Sequence, residues 1–341
     1  MTCRVRIHEE VLDGLAEGIP VVALETAVLT HGLPRTPRAS APAVFETSIG
    51  RHCSWDETLP VNLATVRAMG QVIRTAGSIP ASSCVLDGTL RIGLEADELR
   101  RLADMETEKC STRDLSRVMA GGGSGGTTVA GTLAACEQAN RMLGEEGLAA
   151  IRTFATGGIG GVHRQWDQHR DVSADLRALE TSPLLVVSAG AKVILDLSAT
   201  MEALDSNQIP VLGWQVDHFP RFTVRSRTGE LGVHRVDDLH RVAALCVEHW
   251  ETLGRSEAVL LVNELPETLA LDDQLVERTV EEALEAAEAE AIHGQALTPF
   301  LLEYMAKKTG GAALEANIAL LLNNADLAAR AAARLHRTKT I

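Results

Sequence analysis

Short apolar runs alternate with segments of helical period along the 341-residue chain. VVALE (21–25) reads as a buried strand, because consecutive apolar residues leave no face for water. VNLATVRAMGQVIRTAG (61–77) has the spacing of an amphipathic helix and closes on Gly77. SSCVLDGTLRIGL (82–94) sets an Asp-Gly pair between two short runs, a hairpin signal. A short helix follows at EADELRRLADM (95–105), then a glycine loop running into a helix at AGGGSGGTTVAGTLAACEQANRML (120–143). PLLVVSAGAK (183–192) reads as a strand breaking at Gly190, with VILDLSATMEALDS (193–206) as the helix behind it. PVLGWQV and AVLLVN are strands on either side of a helix at DDLHRVAALCVEHWETL, and from Asp272 onward the pattern is helical. This alternation predicts an α/β fold, one domain over residues 1–341 with a central mixed sheet flanked by helices.

Composition narrows the partners. Aromatic residues make up 3% of the chain, so the core must be aliphatic. A formal net charge of −14 argues against a nucleic-acid polymer, which is bound by Lys and Arg, but leaves room for one small phosphorylated ligand. The six cysteines, at 3, 53, 84, 110, 136 and 246, show neither CxxC nor zinc spacing and read as reduced thiols. The N-terminus lacks the apolar core of a signal peptide and no run approaches membrane-spanning length, so a soluble, cytoplasmic protein is expected.

Several stretches carry candidate chemistry. Lys192 follows an apolar strand and a small-residue turn. There it is either a partly desolvated amine able to form a Schiff base or a surface lysine near a helix start. Glu25, at the end of the first buried strand, is a general-acid candidate or a strand-end surface residue. Lys109 in ETEKCSTRDL reads by itself as part of a solvated charge run. The glycine runs GGGSGGTTV (121–129) and TGGIGGVH (156–163) match neither the P-loop nor the dinucleotide pattern. Each is a flexible loop or a bare-backbone cradle for a small phosphate. DVSADL (171–176) sets Asp171 and Asp175 four apart, either as oxygen donors to a hard ion such as Mg or Mn or as an N-cap with an acidic first turn.

In chain order, ALETAVLTHGLP, LDGTLRIGL, KCSTRDL, GGTTVAGTL, FATGGIGGVHR, DVSADL, VVSAGAKVILDL, TPFLL and NIALLLNNA resemble the motifs of the pseudouridine-5′-phosphate glycosidase family, whose fold is the indigoidine synthase A type. They span most of the chain from Val21 to Ala329. The resemblance implies a homotrimeric enzyme that breaks or makes the C–C bond between ribose 5-phosphate and a uracil-like ring. It places Lys192 as the Schiff-base nucleophile, Glu25 as the proton donor, and Asp171 as the ligand of one divalent metal per subunit, usually Mn, with Mg as the other choice. It makes Lys109, Val129, Ser173, Ala174 and Asp175 substrate contacts, sets Thr156 and His163 on the phosphate, and faces Asn317 to the base.

The chain also departs from that pattern. A stretch from Arg35 to Thr58, containing His52 and Trp55, separates HGLP from LPVN. Gln165 and Trp166 stand where the family has small residues, NELP replaces NPIP at 263–266, and Trp214 lies in the strand where the family carries Tyr. Trp55, Trp166 and Trp214 are therefore candidates for an altered acceptor pocket or for a subunit interface, whereas Trp250 sits at helical spacing among core residues. This pattern tips the reading toward a C-glycosynthase attaching ribose 5-phosphate to another aromatic acceptor in secondary metabolism. Cleavage of pseudouridine 5′-phosphate, a lysine-dependent aldolase and a non-catalytic ribose-phosphate binder are the alternatives.

Overall fold

A computed structural model describes residues 4–225, 231–292 and 297–338. Eleven strands appear: β1 (Val5–Ile7), β2 (Val21–Leu24), β3 (Ile79–Leu86), β4 (Thr89–Ile92), β5 (Glu108–Cys110), β6 (Gly125–Thr127), β7 (Thr153–Ala155), β8 (Leu185–Ser188), β9 (Val211–Trp214), β10 (His234–Val236) and β11 (Val259–Asn263). They form one mixed sheet in the order β1-β4-β3-β2-β7-β8-β11-β9-β10, with β6 also pairing β3 and carrying β5. From β3 through β2, β7, β8, β11 and β9 to β10 every pairing is parallel. Strands covered by helices on both faces can be apolar at every position, and β2, β7, β8 and β11 are buried throughout. The Asp87-Gly88 hairpin forms as expected. It joins antiparallel β3 and β4, with both turn residues at positive φ, 49° and 70°.

The helices are α1 (Glu9–Ala16), α2 (Val61–Thr75), α3 (Ala96–Asp104), α4 (Thr112–Ala120), α5 (Val129–Glu145), α6 (Trp166–His169), α7 (Ala174–Glu180), α8 (Leu197–Ser206), α9 (Leu239–Val247), α10 (Asp273–Ala289), α11 (Leu297–Lys308) and α12 (Ala312–Thr338). The 27-residue α12 packs on α2, α9 and the central strands β2, β7 and β8. Its buried alanines let its backbone come close to the sheet. Trp250 is core, as expected from its spacing, with Nε1 donating to Glu257 O at 2.9 Å.

Two boundaries differ from the sequence pattern. The helix predicted at 193–206 starts only at Leu197, because Asp196 caps it by accepting the Ala199 N–H at 2.9 Å. Lys192–Leu195 instead forms a turn, the Leu195 N–H donating to Lys192 O at 3.0 Å, and Leu195 bridges to His163. Similarly, Ser173 is the N-cap of α7, so Asp171 precedes the helix and does not share a helix face with Asp175. The added stretch Arg35–Thr58 forms two 3₁₀ turns, Ala43–Glu46 and Ile49–His52, that pack on α2 and α12. It is tied down by Arg38 and the Ala43 N–H on Glu315, the Ser54 N–H on Gln71 Oε1, and the His52 carbonyl on Thr75. Cys53, Cys84, Cys110, Cys136 and Cys246 are free thiols, and Cys3 lies outside the described residues. Among the described residues no helix is long and apolar enough to cross a membrane.

Candidate active site

A residue that follows a buried parallel strand emerges at the sheet's carboxyl edge, where open α/β sheets place their ligands. Glu25 follows β2, Thr156 follows β7, and Lys192 comes four residues after β8 ends. Because β2, β7 and β8 are neighbours, these three residues are gathered at one edge although they lie far apart in sequence. A cavity of about 380 Å³ opens there, lined by both Glu25 and Lys192. Lys109, Val129, His163 and Asn317 also line it. So do Asp171, Ser173, Ala174 and Asp175.

The electrostatics suit acid chemistry next to an amine. Burial raises the Glu25 carboxyl above the usual carboxylate range, opposed by the charge of Lys192 and a hydrogen bond from Thr156. Burial, followed by repulsion from Lys192, pulls Lys109 below the ordinary lysine value. Burial also lowers His163, while nearby Asp171 pulls the other way, its Oδ2 lying 3.9 Å from His163 Nδ1. In an acidic chain, Lys109, Arg113 and Lys192 bring positive charge to one cavity, and the neutral His163 ring adds a hydrogen-bonding group, a set that suits an anionic ligand.

Gly157, Gly158 and Gly160 line the cavity, but most of their run's backbone donors are turned inward. In 156–163, five backbone N–H groups are already committed inside the protein. Thr156 donates to Val187 O, Ile159 to Gly190 O, Gly160 to Asp175, Val162 to Thr200 and His163 to Asp171 O. Glycine is needed there because neighbours crowd the backbone. A Cβ at Gly158 would lie 2.7 Å from the Phe222 ring, at Gly160 2.3 Å from Ser173 Oγ, and at Gly161 2.4 Å from Thr200 Oγ1. In the other run Gly122 makes a turn at φ +70°, Gly125 and Gly126 belong to β6, and only Thr128 and Val129 reach the cavity.

Thr156 is likewise not where the phosphate role would put it. It is buried and off the cavity wall, and its hydroxyl donates to Glu25 Oε1. None of the three candidate tryptophans lines the cavity either. Trp55 packs edge-on against Phe45 at 5.5 Å within the added stretch, away on α2 and α12. Trp166 is 40% exposed, with its ring under Arg170. Trp214 ends β9, which β11 separates from β8.

The cavity has one aromatic side chain, Phe222, which sequence reasoning missed. It adopts φ +60°, rare for a bulky residue, and packs against Gly157 and Gly158. The scarcity of aromatics, 3% of the chain, is the sequence signal that points to it. His31, Ser111 and Arg113 also line the cavity, and all three sit inside motifs quoted above.

For a metal, Asp171 offers one partly exposed carboxylate, and no group of three His, Cys, Asp or Glu capable of caging an ion occurs among the described residues. A single, partly exposed carboxylate on a cavity wall fits a hard divalent ion that keeps most of its water, and does not fit a dehydrated site.

A family model described as indigoidine synthase A like protein matches residues 45–334. A pseudouridine-5′-phosphate glycosidase of Myxococcus xanthus is 41% identical over 330 residues, covering 96% of this chain and 97% of that one. One from Caldanaerobacter subterraneus is 37% identical over 334 residues, 98% of this chain and 97% of its own. Among solved structures, the prealnumycin C-glycosynthase AlnA in complex with ribulose 5-phosphate superposes with a TM-score of 0.81 at 33% identity, covering 100% of this chain and 99% of that one. An indigoidine synthase A-like protein of Thermotoga maritima superposes with a TM-score of 0.78 at 29% identity, over 98% and 97% of the two chains. With both ends of the alignment reached and the site residues gathered at one sheet edge, the chain belongs to the indigoidine synthase A-like family, that of the pseudouridine-5′-phosphate glycosidases.

Proposed function

We propose that the chain breaks the C–C glycosidic bond of pseudouridine 5′-phosphate, reversibly, giving uracil and ribose 5-phosphate. The observation that carries this reading is the meeting of Glu25 and Lys192 in one cavity that also holds Lys109, Arg113 and His163. A C-glycoside has no leaving oxygen to protonate, so the two-carboxylate route of ordinary glycosidases does not apply. The Lys192 amine instead attacks C1′ and displaces O4′, opening the ribose. Its nitrogen lone pair then forms a C1′ iminium as the C–C bond breaks, and Glu25 delivers its proton to the departing ring carbon. Water hydrolyses the iminium, freeing ribose 5-phosphate and the lysine.

Lys109 and Arg113 supply positive charge for the phosphate and His163 a hydrogen-bonding ring, while Phe222 and Asn317, also on the cavity wall, are the groups assigned to the base. A divalent ion, Mn or Mg, would be held at Asp171 largely through water, where it adds positive charge beside the sugar phosphate. A homotrimer is part of the proposal, and light scattering checks it.

The C-glycosynthase direction is the second reading, favoured by the superposition on AlnA. The tryptophans gave it its sequence support, and they lie off the cavity. The relatives named above are glycosidases, so cleavage is the better reading. The test is uracil release from pseudouridine 5′-phosphate with Mn, with Lys192→Ala alongside and borohydride trapping of ribose 5-phosphate. Release that Lys192→Ala abolishes supports cleavage. Trapping without release transfers the assignment to a synthase with another planar acceptor, and the absence of both release and trapping overturns both readings.

A further inference from the structure

We infer that Thr156 is a positioning residue for the reaction, holding the Glu25 carboxyl so that its acidic hydrogen sits on Oε2 and faces the reacting carbon. The inference rests on the reading of Glu25 as the proton donor. A carboxylic acid that turns freely presents its proton in many directions. A donor fixed on one oxygen removes that freedom, because the oxygen that accepts is the one without the hydrogen.

Thr156 is built for this. It is 1% exposed, and the only hydrogen-bond partner of its hydroxyl among the described residues is Glu25 Oε1. A buried hydroxyl must place its hydrogen on that one partner or leave it unpaired, so it donates. Its backbone is held as firmly. The Thr156 N–H donates to Val187 O at 3.0 Å, and Asn324 Nδ2 donates to the carbonyls of Thr156 at 2.9 Å and Gly157 at 3.2 Å. Asn324 is 1% exposed, and its Oδ1 accepts from Asn263 Nδ2 at 3.4 Å. The chain from Asn263 through Asn324 and Thr156 to Glu25 therefore joins the ends of β11, β7 and β2 through α12. The charged groups that face Glu25 are Lys192, Asp175 and Lys109, and none of them is hydrogen-bonded to it. Among the described residues Thr156 alone hydrogen-bonds the carboxyl and so orients it.

The test compares Thr156→Val, which keeps shape and loses the hydroxyl, with Thr156→Ser, which keeps the hydroxyl. Two readouts are taken: steady-state kinetics on pseudouridine 5′-phosphate across pH, and an infrared carboxyl-stretch titration of Glu25 with Glu25→Gln as the blank. Thr156→Val should lower kcat about 10- to 100-fold while KM stays within about threefold. It should move the basic limb of the profile to higher pH, because the hydrogen bond that favours the ionised carboxylate is gone. Thr156→Ser should restore both. Wild-type kcat and wild-type Glu25 titration in Thr156→Val overturn the inference. So does a rise in KM with an unmoved Glu25 titration, which would put Thr156 on the substrate. If the wild-type protein releases no uracil, the functional reading falls, and the infrared titration still decides whether Thr156 holds the carboxyl.

Discussion

Asp175 accepts the Gly160 N–H on Oδ2 at 2.8 Å while its Oδ1 accepts the Ala130 N–H at 2.9 Å. One buried carboxylate thus clamps the glycine run 156–163 to the first turn of α5, across two walls of the cavity. It faces the cavity, but both its oxygens already accept backbone hydrogens, so its first duty is to hold the walls together. Asp175→Asn turns an amide NH₂ toward one of those N–H groups. The expected loss is about 1–3 kcal/mol of stability, read from the urea midpoint at constant slope.

Glu25 carries a stability cost that its chemistry requires. Burial raises its folded-state value above the unfolded one, so the folded state holds the extra proton between the two values. Stability is therefore full below the unfolded value and declines as pH rises through the folded one. Glu25→Gln removes the ionisation and should abolish uracil release. Its stability relative to wild type should rise from pH 5 to pH 8. Urea denaturation of both proteins at the two pH values checks this, and a flat difference would contradict it.

Gly158→Ala places a Cβ 2.7 Å from the Phe222 ring, which lines the same cavity as the catalytic pair. The ring must move, since the glycine backbone is held on both sides. KM for pseudouridine 5′-phosphate should rise about tenfold or more, with borohydride trapping of ribose 5-phosphate on Lys192 retained. Equal loss of trapping would show that the sugar side had been disturbed as well.

Trp166→Ala removes an exposed ring stacked on Arg170, outside the cavity. The ring forms no part of the cavity wall, so kcat/KM should stay within about threefold of wild type. A larger fall would place Trp166 on the substrate path.

Lys192, Glu25, Lys109, His163, Asp171 and Asn317 were legible from their motifs, and each lines the cavity. Their strands were legible for a physical reason: a parallel strand buried on both faces is apolar at nearly every position, so VVALE and PLLVVS stand out without alignment. The Asp87-Gly88 turn was equally plain, because only a few residue types tolerate two successive positive φ values.

Where Thr156, the glycines and the tryptophans lie was not legible, because their surroundings depend on what packs beside them. Spacing shows that a glycine has no Cβ. It cannot show that Phe222, Ser173 or Thr200 fills the space a Cβ would take, since those residues come from other elements. A tryptophan beside a motif likewise says nothing of which side of the sheet it faces. Local residue pattern determined the strands, the turns and the chemical types at the strand ends. The strand order β2-β7-β8 and the packing of α12 decided which side chains meet, because contacts between residues distant in sequence exist only after the sheet has assembled.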